Sequence, residues 1–198
     1  MSGKSFCVVA LIALALWLGA VRTAAAQTDP PPLDVAVGLS YMREEWLDTD
    51  LEFGWLLSVQ RHLNGTLAIV GEGGGNYTRV EPFPAFFPYS MWVHSILAGP
   101  RVSVRPGQRL TLFGQTLGGW VRRSRTNPGS VVTPLNEGAV NTFGLQPGAG
   151  LEYRLNRKVA LRFQADYRRL NKTDVIPRST SETRFMAGFV FGVERQTQ

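Results

Sequence analysis

The stretch GAGLEYRLNRKVALRFQADY, Gly148 to Tyr167, decides the fold because apolar residues recur in it at every second position. The apolar series begins upstream of the stretch and comprises Phe143, Leu145, Pro147, Ala149, Leu151, Tyr153 and Leu155. After a break at Asn156-Arg157-Lys158 it resumes with Leu161, Phe163, Ala165 and Tyr167. A period of two is typical of β-strands, in which successive side chains point to opposite faces. The three-residue break is short enough to close a tight hairpin.

The opposite face of this hairpin is unusual because it is polar along its whole length. It carries Gly144, Gln146, Gly148, Gly150, Glu152 and Arg154, and then Arg162, Gln164, Asp166 and Arg168. In a soluble sandwich such charges would meet water. Strands this long, repeated around the chain, favour the reverse arrangement, with apolar side chains facing lipid and polar side chains facing inward. The pattern therefore predicts an all-β transmembrane barrel.

The first 26 residues are typical of a secretory signal peptide. Lys4 precedes an apolar run over residues 6–20, and the small residues 23–26 offer a cleavage site before Gln27. A membrane anchor is the alternative, but the run is short for a span. The only cysteine, Cys7, lies in this segment, so we expect neither a disulfide nor a cysteine-based metal site in the mature chain.

The remaining composition fits one domain and excludes a nucleic-acid partner. Without Lys4 and Arg22 the 21 basic residues become 19, against 15 acidic ones, and no nucleic-acid-binding motif accompanies this mild excess. A Pro-rich lead-in covers residues 27–33, and we assign residues 34–198 to the barrel domain.

The same alternation predicts six further strands: Asp34–Arg43, Glu52–Arg61, Leu67–Arg79, Met91–Val104, Arg109–Arg122 and Glu182–Glu194. The facing of the strand that begins at Arg109 is ambiguous, and we place Phe113 and Gln115 inside. Connections near residues 64, 106 and 157 are short, whereas those near 47, 84, 131 and 175 are longer. Alternation of short periplasmic turns and longer outer loops is typical of outer-membrane barrels. We expect an eight-stranded antiparallel up-and-down transmembrane β-barrel.

Two short motifs add a family resemblance. The Ala98-Gly99-Pro100-Arg101 segment and the set Arg162, Gln164, Asp166 and Tyr167 resemble the small eight-stranded outer-membrane barrels of Gram-negative bacteria, the class of the OmpA transmembrane domain and OmpX. The resemblance implies a monomer surrounded by outer-membrane lipid and lipopolysaccharide, inserted by the barrel-insertion machinery. Such barrels usually end on an aromatic residue. This chain ends on residues 194–198, ERQTQ, so the expected insertion signal is Gly188–Val193.

The sequence offers little for catalysis or a cofactor. Some eight-stranded barrels are lipid A-modifying enzymes that use a His, a Ser and an acidic residue, but adjacent residues such as His94 and Ser95 point to opposite faces of a strand. His62 is expected to be a solvated histidine beside a turn. Gly71 and the run 73–75 fit neither the P-loop nor the dinucleotide fingerprint. We predict no catalytic residue, cofactor or metal site, and keep as alternatives a lipid A-modifying enzyme, a small pore and a secreted lipocalin-like carrier.

Seven charged residues are predicted to point into the barrel: Glu72, Arg101, Glu152, Arg154, Arg162, Asp166 and Arg184. The interior of an eight-stranded barrel is just wide enough for side chains to fill. Because an isolated buried charge is costly, acids and bases should pair and plug the barrel. Arginines outnumber acids four to three in this set, so one arginine should also use Gln115, Gln146, Gln164 or water.

A second set of basic residues lies in or beside the predicted outer loops: Arg122, Arg123, Arg125, Arg168, Arg169, Lys172 and Arg178. Arginine binds phosphate bidentately and keeps its charge. We expect these residues to contact lipopolysaccharide phosphates, and the protein to have a structural or adhesive role through its outer loops.

Overall fold

The computed structural model describes residues 33–44, 49–80, 89–126, 139–171 and 180–193. It contains eight strands: β1 Leu33–Glu44, β2 Thr49–His62, β3 Leu67–Val80, β4 Tyr89–Val104, β5 Leu110–Thr126, β6 Val140–Arg154, β7 Val159–Leu170 and β8 Thr180–Val193. Within these ranges, no helix has the length and apolar character needed to cross a membrane. The predicted signal peptide and residues 27–32 of the lead-in lie outside the described residues.

Each strand pairs antiparallel with the next, and β8 pairs with β1, so the sheet closes into an eight-stranded barrel. The predicted fold class is confirmed. Asparagine side chains build two of the tight turns. Asn64 Oδ1 accepts hydrogen bonds from the backbone N–H groups of Thr66 and Leu67, at 2.9 and 2.7 Å. Asn156 Oδ1 accepts them from Lys158 and Val159, at 2.8 and 2.9 Å. Such Asx turns favour a short hairpin connection.

The seam between β1 and β8 depends on two glycines that lie opposite each other. Gly38 pairs with Gly188, and a Cβ atom on Gly188 would collide with the carbonyl oxygen of Val37 and the Cα atom of Gly38. A larger residue at this position would therefore push the backbones apart. The missing side chains let the two strands approach closely where the barrel closes.

The two faces of the wall differ as the alternation predicts. Large apolar side chains such as Leu39, Ile96, Phe163 and Phe185 are exposed on the outside, where an outer-membrane barrel carries its apolar band. The inward side chains include both charged residues and an apolar cluster. The apolar cluster consists of Met42, Leu51, Val70, Met91, Val93, Leu97, Leu117, Val121 and Leu170.

Strand β5 corrects one predicted boundary. Phe113 and Gln115 are buried inside, as predicted, while Leu112 and Trp120 face outward. The strand does not end at Arg122 but continues to Thr126. Arg123 and Arg125 therefore belong to the barrel wall and not to a loop.

Candidate functional site

The centre of the barrel interior holds one arginine between two carboxylates. Arg184 on β8 donates from Nη2 to Glu72 Oε1 on β3, and to Asp166 Oδ2 on β7 at 2.7 Å. Its Nε atom donates to the same Asp166 oxygen at 3.1 Å. All three side chains are buried. Gln146 and Gln164 donate to the two Glu72 oxygens at 3.0 and 3.1 Å, so the carboxylate has several partners.

A second group lies closer to the short turns. Arg162 donates to Glu152 Oε1 from Nη2 and Nε, at 2.6 and 2.9 Å, and Arg101 Nη1 lies 3.4 Å from the same oxygen. Both arginines also donate to Gln60 Oε1 on β2. The Phe113 ring lies beneath both guanidinium groups, with its centroid 4.0 Å from Arg101 Cζ and 5.3 Å from Arg162 Cζ. Both guanidinium groups therefore make a cation–π contact with this one ring.

Arg154 does not join these two groups, although the sequence pattern places it among them. It is the last residue of β6 and its side chain is exposed. It shares the inward phase of Glu152, but the wall ends there and its long side chain can reach solvent. Nearby Arg105, in the turn after β4, is half-buried, and the pKa of its guanidinium is lowered by burial and by the charge of Arg154. The structure thus brings together six of the seven predicted interior residues.

A third charged group lies at the end of the barrel that carries the long connections. Arg168 donates to Glu182 Oε2 at 3.2 Å, to Gln146 Oε1 at 2.9 Å and to Ser95 Oγ at 3.1 Å. Arg123 Nη2 lies 2.7 Å from Glu44 Oε1. Both arginines are buried. The three groups together are called the charge network below.

The prediction that Arg123 and Arg168 contact lipopolysaccharide is therefore wrong in this structure. Both residues occupy the inward phase of their strands, with Gln115 and Asp166 respectively, and their carboxylate partners lie inside the barrel. Arg122 and Arg169, one position away, point outward and are exposed. The side chain of Arg125, and residues Lys172 and Arg178, lie outside the described part of the chain.

Sequence reasoning missed several members of the charge network. Gln60 bridges two arginines, and Glu44 and Glu182 complete the third group. Among the described residues the buried charges balance, with five arginines against the acids Asp34, Glu44, Glu72, Asp166 and Glu182, so the predicted excess of arginine is absent. The alternation of the strands could have indicated these residues. Gln60 follows outward Val59 and so should point inward, and Glu182 is two residues from inward Arg184 and so should share its face.

The two histidines lie on different faces of the wall. His62 is not a solvated surface residue, since its side chain is only 8% exposed and its Nε2 atom lies 2.9 Å from Asp34 Oδ2 inside the barrel. His94 faces outward and contacts Tyr77, whereas Ser95 is buried inside beside Arg168. His94 and Ser95 therefore cannot act as a pair. No group of three metal-ligating side chains occurs within the described ranges.

A closed eight-stranded barrel with an apolar outer wall and a charged interior has the architecture of the small outer-membrane β-barrels, and the predicted resemblance is confirmed at the level of fold. Solved structures of that class match this chain. Neisserial surface protein A has a TM-score of 0.61 and 13% identity, covering 84% of this chain and 100% of its own.

Two further structures show the same fold. Ail, the attachment invasion locus protein of Yersinia pestis, in complex with the heparin analogue sucrose octasulfate, has a TM-score of 0.52 and 17% identity over 83% of this chain and 100% of its own. The outer membrane protein OprG from Pseudomonas aeruginosa has a TM-score of 0.50 and 8% identity over 85% of this chain and 98% of its own. No protein-family model and no curated protein matches the sequence.

Proposed function

We propose that this protein is an integral outer-membrane barrel with a structural or adhesive role, without catalytic activity and without a permanent pore. The observation that carries the proposal is a set of contacts, two hydrogen bonds and one ion pair, that cross the lumen between strands that are not neighbours. Arg184 on β8 reaches Glu72 on β3, and Arg162 on β7 reaches Gln60 on β2. Nearer the long connections, Arg123 on β5 reaches Glu44 on β1.

The three groups of the charge network lie at successive heights along the barrel axis. Each group has one charged member on β7, and these members follow one another along the strand as Arg162, Asp166 and Arg168. An ion passing through would have to separate buried, paired charges, which is energetically costly. The apolar cluster adds nine side chains to the same interior, all of them almost fully buried. A sealed barrel is therefore favoured over the small pore.

The distribution of polarity supports a membrane location over a lipocalin-like carrier. Such a carrier needs an apolar cavity and a soluble exterior. Here the outward side chains include Leu39, Leu57, Ile96 and Phe163, while the centre of the interior holds Arg184 and its two carboxylates. Placing the outer wall in lipid removes its apolar side chains from water.

Membrane fractionation followed by electrophoresis with and without boiling tests this location. We expect the protein in the outer-membrane fraction, with unboiled protein migrating differently from boiled protein. Reconstitution into a planar bilayer tests the seal, and no steady conductance is expected. A soluble protein after export would favour the carrier, and a large, stable conductance would make the protein a channel.

The long outer connections remain the proposed adhesive surface. Of the predicted lipopolysaccharide contacts, exposed Arg122 and Arg169 are the two described side chains whose outward direction supports the proposal.

A further inference from the structure

Five side chains form a polar and aromatic cluster on the outer wall near the long-connection end. One row of paired residues crosses strands β2 to β5 and consists of Trp55, Gly75, His94 and Arg122. Tyr77 on β3 pairs with Trp92 on β4, two residues farther along these strands. We call Trp55, Tyr77, Trp92, His94 and Arg122 the lipid-face cluster. Polar groups that face lipid are costly, and ionisable ones in a membrane-spanning region are functional candidates by default.

The hydrogen bonds within the lipid-face cluster use only one of the two ring nitrogens of His94, the Nε2 atom. Trp55 Nε1 donates to Tyr77 Oη at 3.2 Å, because an indole nitrogen can only donate. Tyr77 Oη lies 2.7 Å from His94 Nε2, and which of the two donates depends on the imidazole tautomer. With Tyr77 as the donor, the hydrogen of the neutral imidazole is on Nδ1, and this is the tautomer that we assign to the proposed site. Among the described residues Nδ1 makes no hydrogen bond.

Arg122 brings a positive charge to the same height. It is the pairing partner of His94 on β5, and its guanidinium lies over the Trp92 ring, 5.8 Å from the centroid. The Trp92 ring in turn packs against His94, with 4.9 Å between centroids. Within the described ranges no carboxylate forms an ion pair with Arg122. An arginine and an imidazole on paired residues that contact the same Trp92 ring are suited to an oxyanion such as phosphate.

The wall below the lipid-face cluster has room for a hydrocarbon chain. A Cβ atom on Gly71 would meet nothing within 4 Å, and one on Gly73 would only touch the Ser95 carbonyl oxygen at 4.0 Å. Exposed Leu57 and Ile96 flank Gly73 on β2 and β4. Since neighbouring strands are about 4.8 Å apart, β2 and β4 are separated by about 10 Å across this strip.

We propose that the lipid-face cluster binds the phosphate of a phosphorylated glycolipid of the outer leaflet. The inference rests on the proposed outer-membrane location and gives the lipopolysaccharide contact of Arg122 a defined site. Arg122 and His94 Nδ1 hold the phosphate, Tyr77 positions the His94 ring, and one acyl chain lies along Gly71 and Gly73. The outer leaflet is the source because long connections face the outside in barrels of this class.

Binding of lipid A to the purified full-length barrel in neutral detergent tests the site. Arg122→Gln should weaken binding at least about tenfold, since a charge-assisted hydrogen bond contributes roughly 1.5–3 kcal/mol. Tyr77→Phe should weaken it several-fold by releasing His94. The matched control is Arg61→Gln, which removes an exposed outward arginine at the other end of β2 and should leave binding unchanged. Retained heat-modifiability shows that each variant is folded.

Two ligand controls identify what is recognised. Dephosphorylated lipid A should bind the unmodified protein as weakly as lipid A binds the Arg122→Gln variant. Phosphatidylglycerol should bind more weakly than lipid A. Equal affinity of the unmodified and Arg122→Gln proteins, or of phosphorylated and dephosphorylated lipid A, would overturn the site. Equal affinity for phosphatidylglycerol would overturn the choice of a glycolipid. None of these results would affect fractionation or conductance, so the proposed function would stand.

Discussion

The charge network and the apolar cluster fill the same barrel but specify it differently. Arg184 can satisfy its donors only where Glu72 and Asp166 lie within hydrogen-bonding reach, so these contacts fix which strands face each other across the lumen. Leu97 and Leu117 require only that the space around them be filled. Both parts are buried, yet only the charge network contains groups that become unfavourable when one partner is removed. We therefore expect substitutions to lower the stability of the barrel by amounts that depend on which of the two parts they alter.

The largest effect is expected for Glu72→Ala. Removing one partner of a buried ion pair costs about 3–5 kcal/mol because a charge is left unpaired. Equilibrium urea unfolding of the barrel in lipid vesicles measures the change. Glu72→Gln, which keeps the shape, should cost less. An alanine variant as stable as the unmodified barrel would mean that Arg184 is satisfied without Glu72.

Next comes Leu117→Ala in the apolar cluster. A buried leucine-to-alanine change costs about 2–5 kcal/mol through lost burial and the cavity left behind. The matched control is Leu112→Ala on the outer face of the same strand, where lipid can fill the space. The same unfolding measurement should find a smaller loss for Leu112→Ala. Equal losses would remove the distinction between the two faces of β5.

The outer wall provides the third test, which compares the same substitution at two depths. Leu151→Arg should cost about 2–4 kcal/mol near mid-depth, whereas Leu155→Arg, in the turn after β6, should cost about 0–1 kcal/mol. Folding yield into vesicles reports the difference. If both variants fold equally well, residue 151 does not face hydrocarbon.

A smaller loss of stability is expected for Glu152→Ala, about 1–3 kcal/mol, because a hydrogen-bonded partner is removed at a site that water already reaches. The Glu152 side chain is 14% exposed. Its removal leaves Arg162 and Arg101 without their shared carboxylate, so brief ion leaks should occur in planar bilayers. Silent bilayers would indicate that Gln60 and the central group suffice for the seal.

The smallest effect is expected for Arg169→Ala, and its buried neighbour Arg168 is the contrast. Arg168→Ala should destabilise the barrel, because it removes contacts to Glu182 and Gln146. Arg169→Ala should leave stability within about 0.5 kcal/mol, as is usual at the surface. It should weaken lipopolysaccharide binding modestly and only at low salt. Unchanged binding at low salt would remove Arg169 from the proposed contacts.

Much of the fold follows from the sequence because polar and apolar residues alternate so regularly on β6 and β7. Leu151 and Phe163 pair on the outside, and Glu152 and Arg162 pair on the inside. On β5 the alternation fails as a guide, because Leu117 and Val121 are as apolar inside as Leu112 and Trp120 are outside. A period of two assigns faces only where the two faces differ in polarity.

The candidate sites were harder to predict because loop and strand residues can share a composition. Arg123 and Arg168 lie where β5 and β7 approach the long connections, so their charge favoured a surface role. Glu44, the partner of Arg123, lies on β1 and meets β5 only across the lumen of the closed barrel. Glu182, the partner of Arg168, is its neighbour across the β7–β8 hairpin, a pairing that composition alone does not indicate. The lipid-face cluster likewise draws on four strands, and no spacing in one segment indicates it.

The glycine seam between β1 and β8 also bears on the order of assembly. Every other pairing joins strands that are consecutive in the chain. Each of these pairings therefore closes a shorter loop than the β1–β8 pairing does, and the entropy of loop closure grows with length. The β1–β8 pairing alone must bring the two ends of the barrel domain together. Hairpins can accumulate one after another into a curved, open sheet, and Gly38 and Gly188 then let its two edges meet in a final closing step.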